Sequence, residues 1–489
     1  MNARYESSLT EAQEEKSDGR NGMSTTDAPI EFARDAASEA ERVKTLAAQS
    51  AMPWPARKDA HFSLFVMVIV VMFTVLDRTV MSLLIQPIKE DYGLTDSQIA
   101  LLLGAAFSLP YGFVGLAVAR LADTHNRRNI IAASIAFWSV CTMACGVAQG
   151  FVSLLLARMG IGAGESGYGP ASWSIATDYW PREKVAFATA TMAQGAMIGM
   201  ALAMFLGGAT LGLVSGMSPL QTPFGIIKPW QWVFVIVGAP GLFWTLVVLM
   251  TKEPPRRGIP AGQKAVKVPL IDIVRWVKGD WRTYLAVVGG MAVKGMMLYV
   301  PLTWNATLIH RQFDWSLPKV GMVIGVITLI VGPLGLMAGA KLSERWTKKG
   351  MSDGNVRIIV YGLLVTIPLY ILYPLMPTPY LVLGLSAICS FVSSLVMGPT
   401  VAAAQIITPN PMRAQIGSLI QFCNNVIAFA LSPLIVALLT DFLFHDEHAL
   451  KYSMSLNLGV MGVVALLITY QGLKPYARSY ERAVREFAN

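Results

Sequence analysis

His61–Asp91 reads HFSLFVMVIVVMFTVLDRTVMSLLIQPIKED, and this stretch decides the class of the protein. From Phe62 to Leu76 it carries no charge and is almost wholly apolar. At about 1.5 Å per residue, the run from Phe62 to Ile88 is long enough to cross a bilayer as a tilted helix. Asp77 and Arg78 then appear side by side, roughly 22 Å from the start of the run. An ionised side chain at that depth costs about 3 kcal/mol on insertion scales unless it is paired or faces water. A purely structural membrane helix has no use for such a cost. Asp77 and Arg78 are therefore the first candidate functional residues.

The whole chain has the same character. Hydrophobic residues make up 54% and charged residues 14% of its 489 positions, where soluble domains carry about a quarter charged. This is a polytopic membrane protein. Its net charge of +9 follows the membrane topology, so no nucleic-acid partner is implied. Cys141, Cys145, Cys389 and Cys423 lie inside apolar runs without a CxxC spacing, which predicts neither disulfides nor a metal site. Residues 1–57 differ in kind, being acidic and lacking a signal-like apolar run, and read as a disordered cytoplasmic tail in which Met23 is an alternative start.

Apolar runs then recur at regular intervals, and twelve spans are expected: 62–88, 97–119, 129–148, 151–175, 184–214, 230–251, 281–304, 319–340, 355–376, 379–408, 412–440 and 452–473. Bases set the orientation. With the amino terminus inside, outer segments hold only Lys89, Lys228, Arg311, Lys319 and Lys451, while inner loops hold most of the rest. Both termini are therefore expected in the cytoplasm, with the protein in the plasma (inner) membrane. The segment 252–280 opens with KEPPRRG, which no helix continues through, and then spaces Leu270, Ile273, Val274 and Val277 as a short surface helix. It divides the chain into an amino-terminal bundle, 58–251, and a carboxy-terminal bundle, 281–473, with a second cytoplasmic tail over 474–489.

The halves repeat. Arg120-Leu-Ala-Asp-Thr-His-Asn-Arg-Arg128 and Lys341-Leu-Ser-Glu-Arg-Trp-Thr-Lys-Lys349 align residue for residue, each on an inner loop after an even-numbered span of its half. An internal repeat of six spans around a midplane site is the architecture of many secondary transporters.

ARLADTHNRR at 119–128 resembles the loop signature of the major facilitator superfamily. LDR at 76–78, RMGIGAGESG at 158–167, DYWPRE at 178–183 and WQWVFVIVGAPGLFW at 230–244 resemble its spinster-like branch. That resemblance implies an all-α fold of two pseudo-symmetric six-helix bundles and alternating-access transport. It also implies a cytoplasmic latch in which Asp123 meets the start of helix 11, after Pro409-Asn-Pro411, with Arg127, Arg128, Glu344 and Arg345 as the rest of the paired motif. Residues 60–250 match the branch most fully, and the helix-5 Gly-Pro motif of drug antiporters is missing.

Charged side chains inside the expected spans are Asp77, Arg78, Arg158, Glu165 and Lys294. Arg158 and Glu165 are two turns apart on one face of helix 4, and Glu165 lies at about the depth of Asp77. A polar cluster of Asp77, Arg78, Arg158 and Glu165 is the expected proton-coupling site, because burial and a nearby arginine move a carboxylate's proton affinity in opposite directions. The resemblance implies Asp77, the helix-1 acid, as the proton carrier, with Glu165 as the alternative. Lys294, on the repeat counterpart of helix 1, has no partner in that set and is expected to pair across the cavity or to meet an anionic group of the substrate. Gln194, Tyr299, Gln421, Asn424 and Asn425 are further cavity candidates. Gly195, Gly199, Ala203 and Gly207 form a ridge suited to helix packing. Tyr299, Trp304 and Asn305 near Pro301 suit an outer gate, and His445–His448 a solvated outer loop.

The sequence contains no GxxxxGK[ST], HExxH or GxSxG motif, so an enzyme, a cofactor or ATP drive is not expected. The expected function is secondary, proton-coupled transport of a small organic, amphiphilic or anionic solute by a monomer in the lipid bilayer. An organic-acid or sugar-acid symporter of another branch and a receptor-like relative that does not transport stay open.

Overall fold

The computed structural model describes residues 54–222, 225–256, 270–409 and 412–487. The amino-terminal tail with Met23, linker residues 257–269 and the side chains of Asp123 and Gln421 lie outside this description. Eleven helices among the described residues are long and apolar enough to cross a membrane, and a twelfth span is present in two pieces. In chain order the spans are α1 Arg57–Leu83, α2 Asp96–Ala122, α3 Arg127–Cys145, α4 Phe151–Glu165 continued by Tyr168–Tyr179, α5 Phe187–Val214 and α6 Gln231–Met250. The second half has α7 Trp281–Phe313, α8 Leu317–Lys348, α9 Gly354–Leu375, α10 Pro379–Ile406, α11 Asn424–Phe444 preceded by Arg413–Cys423, and α12 Leu450–Gln471. A final helix, α13, spans Leu473–Phe487.

The expected run to Ile88 stops at Leu83. Leu84 leaves the helical region at φ −99° and ψ 8°, and a separate helix, Ile85–Tyr92, starts with Pro87 in its first turn. A proline ring clashes with the carbonyl four residues back, so Pro87 fits a first turn and not the interior of a continued α1. Gly93, at φ 62°, then ends that helix in the left-handed conformation. In α7 the outcome is reversed: the helix passes through Pro301 and continues to Phe313.

The second signature segment is helical rather than looped, which corrects the expectation, and in the first only the extended His125 and Asn126 form the turn between two helices. Asp123 belongs to the last turn of a helix ending at Thr124, and Lys341–Lys348 are the final turns of α8. No breaker precedes Gly350, whose φ of 75° ends the turn after α8. Arg345 and Lys348 also suit the negative end of the α8 dipole.

The contact pattern repeats between halves. In the first, α1 packs on α5, α2 on α4, α3 on α4 and α3 on α6; in the second, α7 packs on α11, α8 on α10, α9 on α10 and α9 on α12. Two symmetric seams, α2 against α11 and α5 against α8, join the halves. Small residues make these approaches possible. A Cβ on Gly199 would stand 2.7 Å from the backbone of Met72 on α1, and one on Gly208 2.7 Å from Pro318 O at the start of α8. The Gly195–Gly207 ridge is thus a packing face toward α1. All twelve spans fit one all-α membrane architecture of two pseudo-symmetric six-helix bundles.

Candidate functional site at the meeting of α1, α2 and α4

α4 is interrupted where its glycines bring it close to its neighbours. A Cβ on Gly162 would stand 2.1 Å from Phe107 O of α2, and one on Gly164 2.9 Å from Trp138 of α3. Glycine weakens a helix by about 1 kcal/mol relative to alanine, and the first segment ends at Glu165, with Ser166 as its cap. That end places the Glu165 carboxylate against α1.

There Arg78 Nε donates to Glu165 Oε2 at 2.6 Å. The guanidinium also lies over two α2 rings, 4.5 Å from the Phe107 centroid and 4.9 Å from that of Tyr111. Glu165 is fully buried in this pair, whereas the Arg78 side chain keeps 19% of its surface exposed. The aromatic surface continues into the second half. Phe107 meets Phe429 of α11 with centroids 5.6 Å apart, Phe429 meets Tyr299 of α7 at 5.0 Å, and Asn424 Nδ2 donates to the Tyr299 hydroxyl at 3.3 Å. Arg78, Tyr111, Tyr299 and Asn424 are all part-exposed at mid-span.

The four expected cluster residues are brought near one another but not into one ion-pair network. Arg158 is fully buried and donates Nε to Leu102 O and Nη1 to the backbone oxygen of Asp77, each at 3.3 Å. It therefore holds α1 and α2 by their main chains. Asp77 Oδ2 lies 3.4 Å from Thr142 Oγ1 of α3. Among the described residues neither Asp77 nor Arg158 makes an ion pair within 4.0 Å, and Asp77 Oδ1, Glu165 Oε1 and Arg158 Nη2 are buried without a hydrogen-bond partner. The economical cluster is thus one tight pair, Arg78–Glu165, with a separate buried acid behind it.

The remaining candidates scatter. Lys294 points between α7, α9 and α10, where its Nζ donates to Ser393 O at 3.2 Å in a small enclosed space also lined by Thr366 and Tyr370. The expected cross-cavity ion pair with Asp77 or Glu165 is not made in this conformation. Gln194 is part-buried on α5, and Asn425 is buried on α11. Arg127 meets inner-segment carboxylates: it is 1% exposed and binds Asp178, Ser174 and Glu253, the last at 2.7 Å. Arg128 donates its backbone N–H to Glu253 Oε2 at 2.9 Å. Glu344 pairs within its own helix with Lys348 at 2.6 Å, and Arg345 is exposed.

The expected outer gate is also corrected. Trp304 is fully buried in the packing core, and Asn305 accepts from the Tyr373 hydroxyl at 2.9 Å. The halves are instead joined on the opposite side from the signature segments, where the outer bases Lys89 and Arg311 meet acids of both halves. Arg311 donates to both oxygens of Asp96 at 2.7 and 2.8 Å, Lys89 donates to the same carboxylate at 2.7 Å, and Glu447 lies 2.8 Å from Lys89. The backbone N–H of Ser97 donates to Asp441 at 2.7 Å. By its place in the sequence Asp96 is an ordinary first-turn acid, and only tertiary proximity reveals its second-half partner Arg311.

This architecture can be compared with known proteins. A sequence model of the Major Facilitator Superfamily matches residues 67–471. The chain belongs to that superfamily. It is 28% identical to an MFS-type efflux pump of Mycolicibacterium smegmatis over 82% of this chain and 90% of that protein. It is 22% identical to the D-galactonate transporter of Escherichia coli, over 63% of this chain and 72% of the relative. Its fold is similar to that of a bacterial homolog of the human lysosomal transporter spinster, solved inward-facing and unoccupied: TM-score 0.71, 24% identity, 88% of this chain and 99% of that one. A major facilitator protein of spinster-like type is what the loop and helix-4 motifs implied.

Proposed function

We propose that this protein is a secondary active transporter that moves a small organic anion or anionic amphiphile by alternating access, driven by a proton gradient. The Arg78–Glu165 pair carries the reading. While Glu165 is ionised it occupies the Arg78 guanidinium and leaves one carboxylate oxygen unpartnered. A proton on Glu165 weakens the pair and releases Arg78 for the carboxylate or phosphate of a solute, whose apolar part lies on Phe107, Tyr111, Phe429 and Tyr299. Ionised Glu165 and the anionic solute thereby compete for one cation, so the proton and the solute bind together, which couples their movements. The similarity to a D-galactonate transporter supports an anionic solute. The inner membrane with both termini in the cytoplasm is the location that the distribution of bases supports.

Purified protein in vesicles with an imposed pH gradient tests this. Glu165→Gln keeps a hydrogen bond to Arg78 but cannot ionise, so solute exchange should persist while gradient-driven accumulation falls at least about tenfold. Asp77→Asn should retain accumulation. Full accumulation in Glu165→Gln overturns the assignment, and its loss in Asp77→Asn alone transfers the proton to Asp77.

A further inference from the structure

Beyond the central site, one groove is lined by three arginines. It lies on the side of the membrane that holds the signature segments, where α13 returns against the start of α7. Its volume is about 410 Å³, and Trp281, Arg282, Thr283, Arg478, Ser479 and Arg482 line it. The walls are fixed. Thr283 Oγ1 and Ser479 Oγ are 3.0 Å apart in a buried hydrogen bond, and Arg482 pairs with Asp280 while lying 5.6 Å from the Trp276 ring. Asp280 is the one acid in the lining, and Arg482 already meets its charge. Arg282 lies 5.4 Å from the Trp281 ring, and neither Arg282 nor Arg478 has an ion pair among the described residues. Trp281, 54% exposed at the first residue of α7, sits at the end of a membrane span, where tryptophan marks the headgroup level.

We propose that this groove binds the headgroup of an anionic phospholipid. Two unneutralised guanidinium groups match a phosphodiester, which arginine grips with forked donors. The Trp281 ring stacks beside the glycerol and upper acyl region. The bound lipid joins α13 to the start of α7, next to the surface helix Leu270–Gly279 that connects the halves. A basic pocket between membrane helices at the headgroup level is the general form of such sites.

Native mass spectrometry of the full-length protein, titrated with phosphatidylglycerol or phosphatidylcholine, tests the proposal. Phosphatidylglycerol should occupy one tight site that phosphatidylcholine does not. Arg282→Gln with Arg478→Gln should weaken that site about tenfold or more. Lys341→Gln with Lys349→Gln removes the same charge from the same side and should change it less than about twofold. Equal weakening by both pairs, or none by the arginine pair, overturns the proposal. Displacement by millimolar glycerol 3-phosphate overturns the lipid assignment in favour of a soluble phosphate ester. A second readout needs no arginine variant. Phosphatidylglycerol brominated on its acyl chains should quench the fluorescence component lost in Trp281→Phe more strongly than brominated phosphatidylcholine does. Equal quenching by the two lipids overturns it as well.

Discussion

Arg158 and Lys294 are both cations at membrane depth, and they resolve that burial differently. Arg158 spreads its charge over two main-chain oxygens, Leu102 O and Asp77 O, and so ties two helices together. Lys294 has one hydrogen bond, to Ser393 O, inside an enclosed space otherwise lined by groups such as Met297, Leu363 and Val396. Replacing even a buried ion pair by apolar residues of similar volume is often neutral or stabilising by about 1–4 kcal/mol, and part-buried Lys294 has no ion pair among the described residues. Lys294→Met is therefore expected to raise the apparent melting temperature in detergent by about 2 °C or more. A fall instead would show that the ammonium stabilises this conformation. Should stability rise while transport is lost, Lys294 is retained for a step in another conformation.

The interruption of α4 is the element on which the candidate site depends. Gly162 and Gly164 let α4 lie against the backbones of α2 and α3, and just beyond them the helical hydrogen bonding is interrupted at Ser166–Gly167 while both residues keep right-handed helical dihedrals. Gly162→Ala puts a methyl group against Phe107 O, a rigid main-chain atom. The expected cost is about 1–3 kcal/mol from overpacking, with Glu165 displaced from Arg78 and accumulation reduced. Gly384→Ala is the matched control, since a Cβ there meets nothing within 4 Å. Thermal denaturation and vesicle uptake of the two variants separate the cases: similar behaviour of both removes close α2–α4 packing as the determinant. The second half uses another irregularity. α7 and α11 contain π-helical turns at Leu285–Gly289, Asn424–Leu431 and Leu439–Phe444, and the second of these holds Asn424 and Phe429 beside Tyr299.

At the scale of the molecule, the two bundles are held on one side by a carboxylate shared between them. Asp96 is fully buried, and its partners Lys89 and Arg311 come from opposite halves. Removing one member of a buried ionic cluster costs about 3–5 kcal/mol, because the remaining charges lose their counterion. Asp96→Asn leaves Lys89 and Arg311 to share the half-exposed Glu447, 2.8 and 3.6 Å away, as their remaining counterion. It should shift the population toward states open on that side by about a hundredfold or more. Spin labels at Gly93 and Asp314 would report this as a longer distance component in pulsed electron resonance. An unchanged distance distribution would mean that the α5–α8 seam alone sets the closure.

Hydropathy alone determined the class and the number of spans, because a bilayer imposes length and apolarity on each crossing independently of its neighbours, and the paired segments 120–128 and 341–349 disclosed the two-fold repeat. Depth counting likewise singled out Asp77, Arg78, Arg158 and Glu165, since an ionisable side chain is conspicuous in an apolar run. The pairing within that set was not legible. Which of two arginines reaches Glu165 depends on where α4 breaks and how closely it approaches α2, and these are decided by glycine contacts between helices distant in sequence. Helix ends were misplaced where local signals competed, as at Pro87, which begins a helix, and Pro301, which fails to end one. The shared carboxylate of Asp96 was invisible for the same reason. Its partner Arg311 is 215 residues away, and only packing of the two bundles brings their charges within hydrogen-bonding distance.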